Sequence, residues 1–406
     1  MSTPPQGRRP RRLVGVVLAA LAIVAAFAVG VLVGGHPRAT GLSDLPPPVR
    51  GWVLGATDDP IGSEVRALLE DGYYKSVDKA ALEKGSVAGM VATLKDPYTY
   101  YLTPQDYAAM QQHLDATLTG IGISVARRPE GVTILDVYPG GPALKGGLRR
   151  GDVIISVDGD KVVPGPTLDK VVHRIRGKEG TPVRVGIRRK GAADKVYSLT
   201  RAKVRIPLVR SRVVRRGDVA VGYVRLSEFD RGAGGEVRDA VAALGKKGVR
   251  SFVFDLRGDP GGLVDEAVGV VSAFTDRGSA VVTTEGLHRS RETLRTTRDP
   301  VTSLPVVVLV DRNSASASEI VAGALRDEDD ATLVGTRTFG KALVQTTREL
   351  RNGGALRYTT ARYLTPSGFD LAKRGLPPDV KAQDNPKTPA DEALNRAVAV
   401  AAAKAK

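Results

Sequence analysis

No cysteine occurs anywhere in the 406 residues, which removes disulfides, thiolate zinc sites and thiol nucleophiles together. Histidine is scarce as well. His36, His113, His173 and His288 are scattered along the chain, a poor basis for a histidine metal cluster, so neither a metal nor a cofactor is expected. Aromatic residues make up only 5%, and no basic stretch is interleaved with them, so nucleic-acid binding is not expected either. Glycine and proline are plentiful, at 46 and 25, but they follow no period, which excludes collagen and leaves turns and linkers. What is present is globular: 42% hydrophobic and 26% charged residues. A chain this long exceeds one hydrophobic core, so at least two domains are expected.

The formal net charge is +16, and its location matters more than its sum. Residues 1–12 contain Arg8, Arg9, Arg11 and Arg12. Residues 116–203 hold 17 basic and 8 acidic side chains, an excess of nine. That excess suits anionic peptide tails or acidic lipid headgroups, or is an ordinary solvated surface.

From Leu13 to Gly35 the chain carries no charge over 23 residues, long enough to cross roughly 30 Å of hydrocarbon as a helix. The arginines before it predict a cytoplasmic segment at 1–12, a transmembrane anchor at 13–35 and an extracytoplasmic remainder. A cleaved signal peptide, with an apolar region of about 7–15 residues, is the competing reading; the Arg pairs also permit twin-arginine export. The proline- and glycine-rich stretch 36–60 reads as a linker.

Beyond the linker the periodicity changes twice. Residues 61–115 repeat apolar positions at three and four, in IGSEVRALLEDGYYKSV and SVAGMVATL, and predict an amino-terminal helical domain. Residues 116–203 show short alternating runs separated by P-G-G, R-G-D and D-G-D turns, a small β-rich domain. Residues 204–385 alternate continuous apolar strands (VRSFVFDL, LPVVVLVD) with helical stretches, an α/β core. Residues 386–406 read as an alanine-rich helical tail.

Chemistry in α/β folds gathers at the carboxyl ends of strands. One such junction is DLRGDPGG, residues 255–262, where Gly261 and Gly262 open a helix and free N–H groups can receive an oxyanion; a plain tight turn is the alternative. The other is RNSASASEI, residues 312–320, where Ser316 is a candidate nucleophile with Ala317 N–H beside it, or a helix cap with a solvated hydroxyl. His36, His113 and His173 fall outside the α/β stretch and His288 lies in a polar run, so a histidine base is unattractive. A lysine serves if burial lowers its pKa. Lys341, flanked by Phe339, Ala342, Leu343 and Val344, fits, and Gln345 four residues on is placed to orient its amine.

These residues resemble one family closely, the carboxyl-terminal processing peptidases, or tail-specific proteases. The likeness covers roughly residues 61–385 and rests on KDPYTYYL, GIGI, DLRGDPGG, SASASEIVAGAL, RTFGKALVQT and TTARYLTPSG. It implies a crotonase/ClpP-like protease core with Ser316 as nucleophile, Lys341 as general base and Gln345 orienting the lysine. It further implies oxyanion donors at Ala317 and Gly262, with neighbouring Gly261 still open, and a supporting role for Glu319. The β-rich domain resembles a circularly permuted bacterial PDZ domain. The loop Thr119, Gly120, Ile121 and Gly122 would then hold a terminal carboxylate, and Ile123 would begin the strand that pairs with the tail. Arg176 falls where family members couple substrate docking to activation. The helical region resembles one that makes dimers in some members, so a homodimer is an expected state. One departure is the nucleophile turn, where Arg312 and Asn313 stand in place of glycine or small residues.

The resulting expectation is a membrane-anchored, extracytoplasmic serine endopeptidase that captures apolar carboxyl-terminal tails. Two other classes compete: a catalytically silent PDZ adaptor, and a crotonase-like acyl-transfer enzyme, for which no coenzyme motif is present.

Overall fold

The computed structural model describes residues 59–83, 86–162 and 167–405. The expected cytoplasmic segment, the anchor at 13–35 and nearly all of the linker lie outside these. Among the described residues no helix is long and apolar enough to cross a membrane. The chain divides into two units, residues 1–65 and 66–406. In the first, Pro60 begins the helix Pro60–Gly72, a position where its missing N–H removes no bond, and Asp59 Oδ1 accepts from Gly62 N at 2.9 Å.

The second unit holds the rest. The helical periodicity read through Val77 stops at Gly72, because beyond it Tyr74 N donates to Thr359 O at 3.1 Å and the backbone turns toward a strand. Short helices follow at Lys79–Glu83 and Val87–Thr93. A further helix, Pro104–Leu114, starts with Thr103 accepting from Asp106 N and proline in its first turn. That T-P-x-D signature was legible in the sequence but not singled out.

The α/β core is a six-stranded sheet in the order Val209–Arg216, Val219–Leu226, Ser251–Asp255, Val306–Val310, Thr332–Gly335, Val380–Lys381. Its first pair is antiparallel and the remaining four pairs are parallel. Ser251–Asp255 and Val306–Val310 are buried throughout, as continuous apolar runs require when both sheet faces are covered. Phe252, Phe254, Val306, Val308 and Val310 join a core with the helices Ala233–Gly245, Val264–Val271 and Ala317–Asp329. Val253, Val307 and Leu309 point the other way, against Ala393, Leu394, Ala397, Val398 and Ala401. The alanine-rich helix, Glu392–Lys404, is therefore the second cover of this sheet and belongs to the core domain rather than to a separate tail.

A second sheet is built around Ala355–Leu364, which pairs with Tyr100–Leu102, Ala280–Gly286 and Leu343–Glu349. The β-rich domain is a sheet of Ile123–Arg128, Gly131–Val137, Val153–Val157, Pro182–Arg188 and Lys195–Thr200 with the helix Leu168–Ile175 over its own apolar core. Its two ends, Thr117–Gly120 and Ala202–Arg205, pair antiparallel.

Candidate active site

The turn that carries Ser316 follows the strand Val306–Val310. Asp311 Oδ1 accepts from Asn313 N at 3.0 Å and Ser314 N at 3.1 Å, and from Gly258 N of the other junction at 3.0 Å. Ser314 Oγ donates across to Leu256 O at 2.8 Å. The two strand ends suspected from the sequence are thus tied into one structure. Ser316 sits at the N-cap of Ala317–Asp329 with φ 55° and ψ −115°, a positive φ that non-glycine residues rarely adopt and that marks strained functional turns.

Behind Gly261 lies Asp259, fully buried, whose Oδ1 accepts from Gly261 N at 2.8 Å. That bond takes Gly261 N–H out of contention as an oxyanion donor. Gly262 is held differently: Phe229 N donates to Gly261 O at 3.0 Å and Leu263 N to Phe229 O at 2.8 Å, so the peptide between them keeps its N–H free. Among the described residues neither Gly262 N nor Ala317 N donates a hydrogen bond, and Ala317, first in its helix, has no acceptor within it. A side chain at Gly261 would meet Ala315 O at 2.6 Å and Ser316 Cβ at 2.9 Å; only glycine lets the two turns approach this closely. Burial pushes the Asp259 carboxyl up to about 8, against the opposing bond from Gly261.

Glu319, fully buried, joins Ser316 to Lys341. Its Oε2 accepts from Ser316 N at 3.0 Å and Lys341 N at 2.9 Å, while Oε1 accepts from Gly340 N at 2.7 Å and Thr338 Oγ1 at 2.5 Å. Burial pushes its pKa up, and the four donors oppose that. The buried Tyr363 acts from the other side. Its hydroxyl lies 3.1 Å from Ser316 O and also against Lys341 O, sharing one proton between them. Amide and carbonyl of both residues are thus clamped, which sequence spacing alone does not reveal.

Lys341 precedes the strand Leu343–Glu349 and sends its Nζ over the ring of Tyr98, 4.7 Å from the centroid. Burial lowers its pKa to about 8, helped by the charge of Arg357 and resisted by Asp96 and Glu319. An amine in this state is partly neutral near pH 7 and can take a proton. Gln345 lines the same cavity of about 630 Å³ as Ser316, Gly261, Gly262 and Lys341. Its Nε2 donates to Leu343 O at 3.2 Å, next to a register shift between Val344 and Gln345. That shift turns the amide onto its own strand, and the contact found for the lysine amine is the Tyr98 ring.

In the β-rich domain Gly120, Ile121, Gly122 and Ile123 line a narrow groove of about 50 Å³ together with Val172, Ile175 and Arg176. Thr119 departs from the expected loop. It belongs to the strand Thr117–Gly120, and its hydroxyl accepts from Gln112 Nε2 at 3.3 Å, so its side chain serves the junction with Pro104–Leu114. Gly122 has φ +78°, a turn that carries the chain into the strand beginning at Ile123.

Sequence reasoning missed Tyr98 and Tyr363, although both lie in quoted motifs, because nothing in a motif says which aromatic faces the amine. It also set His113 aside as outside the α/β stretch. The structure brings His113 to the wall of the cavity that holds Ser316 and Lys341, beside Glu228 and Asp230.

Comparison with known proteins agrees with this architecture. The description "Peptidase family S41" matches residues 220–382, "PDZ domain" matches 119–197, and "Activating protease CtpB N-terminal domain" matches 63–105. The chain is 37% identical over 329 residues to a probable CtpA-like serine protease of Staphylococcus aureus (strain COL), covering 80% of this chain and 64% of that protein. It is 37% identical over 316 residues to the Staphylococcus haemolyticus (strain JCSC1435) protein of the same description, covering 77% and 62%. The match thus spans a little under two thirds of these relatives' length. Among solved structures, the photosystem II D1 C-terminal processing protease is similar with a TM-score of 0.52 and 32% identity, over 81% of this chain and 94% of that one.

Proposed function

The chain belongs to peptidase family S41, and from that premise we propose that it is a serine endopeptidase, anchored in a membrane and acting outside the cytoplasm, that cuts proteins presenting apolar carboxyl-terminal tails. The observation that carries this reading is the double clamp of Ser316 and Lys341 by Glu319 and Tyr363, on one cavity with a lysine whose pKa is lowered to about 8. Neutral Lys341 takes the proton from Ser316 Oγ as that oxygen attacks a peptide carbonyl. The oxyanion that forms receives the free N–H groups of Gly262 and Ala317. The Lys341 ammonium then returns its proton to the departing amine, leaving an acyl-enzyme, and water activated by the same amine releases the acid. Gln345, on the cavity wall, contacts the substrate chain or turns to the amine once it is charged.

The narrow, apolar groove at Gly120–Ile123 supports capture of a small apolar terminal residue by strand addition. The uncharged stretch at 13–35 and the arginines before it support the anchor and its orientation. Self-association through residues 61–115 belongs to the same reading and is read by light scattering.

The test incubates the full chain with a folded protein bearing an apolar tail and follows its products by mass spectrometry. Ser316→Ala should abolish cleavage while tail binding and the melting temperature stay within error of the parent. Cleavage retained by Ser316→Ala would sink the assignment; tail binding with no cleavage by the parent would favour the silent adaptor.

A further inference from the structure

Beyond Leu226 the chain runs on as Glu228, Phe229 and Asp230, with Phe229 bridged in parallel to Gly262. Alternate residues of an extended chain share a side, so Glu228 and Asp230 are presented together next to the glycine turn. His113, in the last turn of Pro104–Leu114, arrives from far earlier in the sequence. Its Nε2 lies 2.8 Å from Glu228 Oε2, and one potential ligand atom from each of the three residues falls within 4.8 Å of the others. All three line the cavity that holds Ser316 and Lys341.

Asp230 is the informative member. It is 4% exposed, yet among the described residues its carboxylate has no hydrogen bond and no ion pair. The adjacent Arg231 guanidinium is turned away to Asp115 and Gln111, and Glu266 is engaged by Gly232 N and Gly234 N. A largely buried residue whose carboxylate faces the cavity without a protein donor, with a second carboxylate beside it, leaves negative charge uncompensated there. Both features call for a cation.

We propose that His113, Glu228 and Asp230 bind a divalent transition-metal cation of the zinc class through one imidazole nitrogen and two carboxylates, with a coordination position left open to the cavity. The donor set argues the class, since magnesium and calcium take oxygen ligands whereas an imidazole favours zinc and its neighbours. Tetrahedral coordination at 2.0–2.2 Å sets ligand atoms roughly 3.3 Å apart. His113 and Glu228, whose side chains are 64% and 32% exposed, are free to rotate onto the fixed Asp230. Lying in the cavity that a peptide must enter to reach Ser316, the ion inhibits cleavage; this last consequence rests on the proposed peptidase reading, whereas the binding itself does not.

The experiment titrates the chelator-treated full chain with Co²⁺, read by visible ligand-field absorption, and then displaces it with Zn²⁺. One saturable site is expected in the parent and in Ser316→Ala alike. His113→Gln and Asp230→Asn, each with an unchanged melting curve, should weaken it by about a hundredfold or more, given that even outer partners of metal ligands are worth 10–100-fold. Absence of saturable binding below about 1 mM, or affinity in both variants equal to that of the parent, overturns the site. A cleavage preference for cationic side chains that follows Asp230 with no metal bound also overturns it. In a parallel cleavage assay, Zn²⁺ should inhibit the parent and spare His113→Gln; binding without inhibition would overturn the inhibitory consequence alone.

Discussion

The β-rich domain and the cavity that holds Ser316 and Lys341 both bury charge, and they treat it in opposite ways. In the β-rich domain Asp152, 1% exposed, takes Arg189 Nε and Nη2 at 2.7 Å each and Arg149 N at 2.8 Å. Burial pushes its pKa up, but these donors win and hold the carboxyl below its usual range. Arg201, 9% exposed, is satisfied just as fully, donating to Arg174 O, Ile175 O, Thr181 Oγ1 and Pro182 O. In the cavity Asp230 has no partner and Lys341 faces an aromatic ring instead of a carboxylate, and behind Gly261 the buried Asp259 Oδ2 has no partner either. Buried charge that is fully paired holds a domain together, while buried charge left unpaired has a shifted pKa and is available for chemistry.

Substitutions on either side of that contrast should separate stability from activity. The largest effect is expected for Lys341→Met, which keeps an apolar chain of similar length. Cleavage should fall by about 10⁴-fold or more, because nucleophile and base act as a unit, while the melting temperature stays at or above that of the parent. A drop in stability comparable to that of a core truncation would mean that Lys341 is structural after all. Asp152→Ala should do the reverse, lowering stability in denaturant unfolding because Arg149 N and Arg189 both lose their acceptor. Next in size, Gly262→Ala should reduce kcat by about 10²–10³-fold, as for the loss of one oxyanion donor. A Cβ there would stand 2.6 Å from Phe229 O at φ +152°, so the N–H must shift, and an unchanged kcat would assign the oxyanion elsewhere. The smallest effect is in pH. A base whose pKa is lowered to about 8 works only when deprotonated, so kcat/KM should rise about tenfold per unit below pH 8 and level off above it. A flat profile between pH 6 and 9 would remove Lys341 from that role.

Much of the fold was legible because local chemistry enforces it. Continuous runs such as VVVLV must be buried on both faces, and alternation around P-G-G and D-G-D turns must form a meandering sheet. The helix Glu392–Lys404 was harder to place, since alanine-rich periodicity names a helix but not the surface it covers; Val253, Val307 and Leu309 supplied that surface from three other strands. Ser316, Lys341 and the glycine turn were recognisable as motifs. Thr119 lies in a strand rather than in the expected loop because the pairing that closes the domain depends on Ala202–Arg205, more than eighty positions away.

The sequence by itself determined the chemistry on offer: no thiol, few imidazoles, a serine at a strand end, a lysine in apolar company and an uncharged stretch long enough for a bilayer. Only the tertiary structure decided what that chemistry can do. It set Glu319 and Tyr363 across the backbones of Ser316 and Lys341, drove the lysine against Tyr98, engaged Gly261 so that Gly262 is the free donor, and brought His113 to Glu228 and Asp230. The reason is physical. Desolvation and charge proximity act through space, over a few ångströms, between residues the chain keeps tens or hundreds of positions apart.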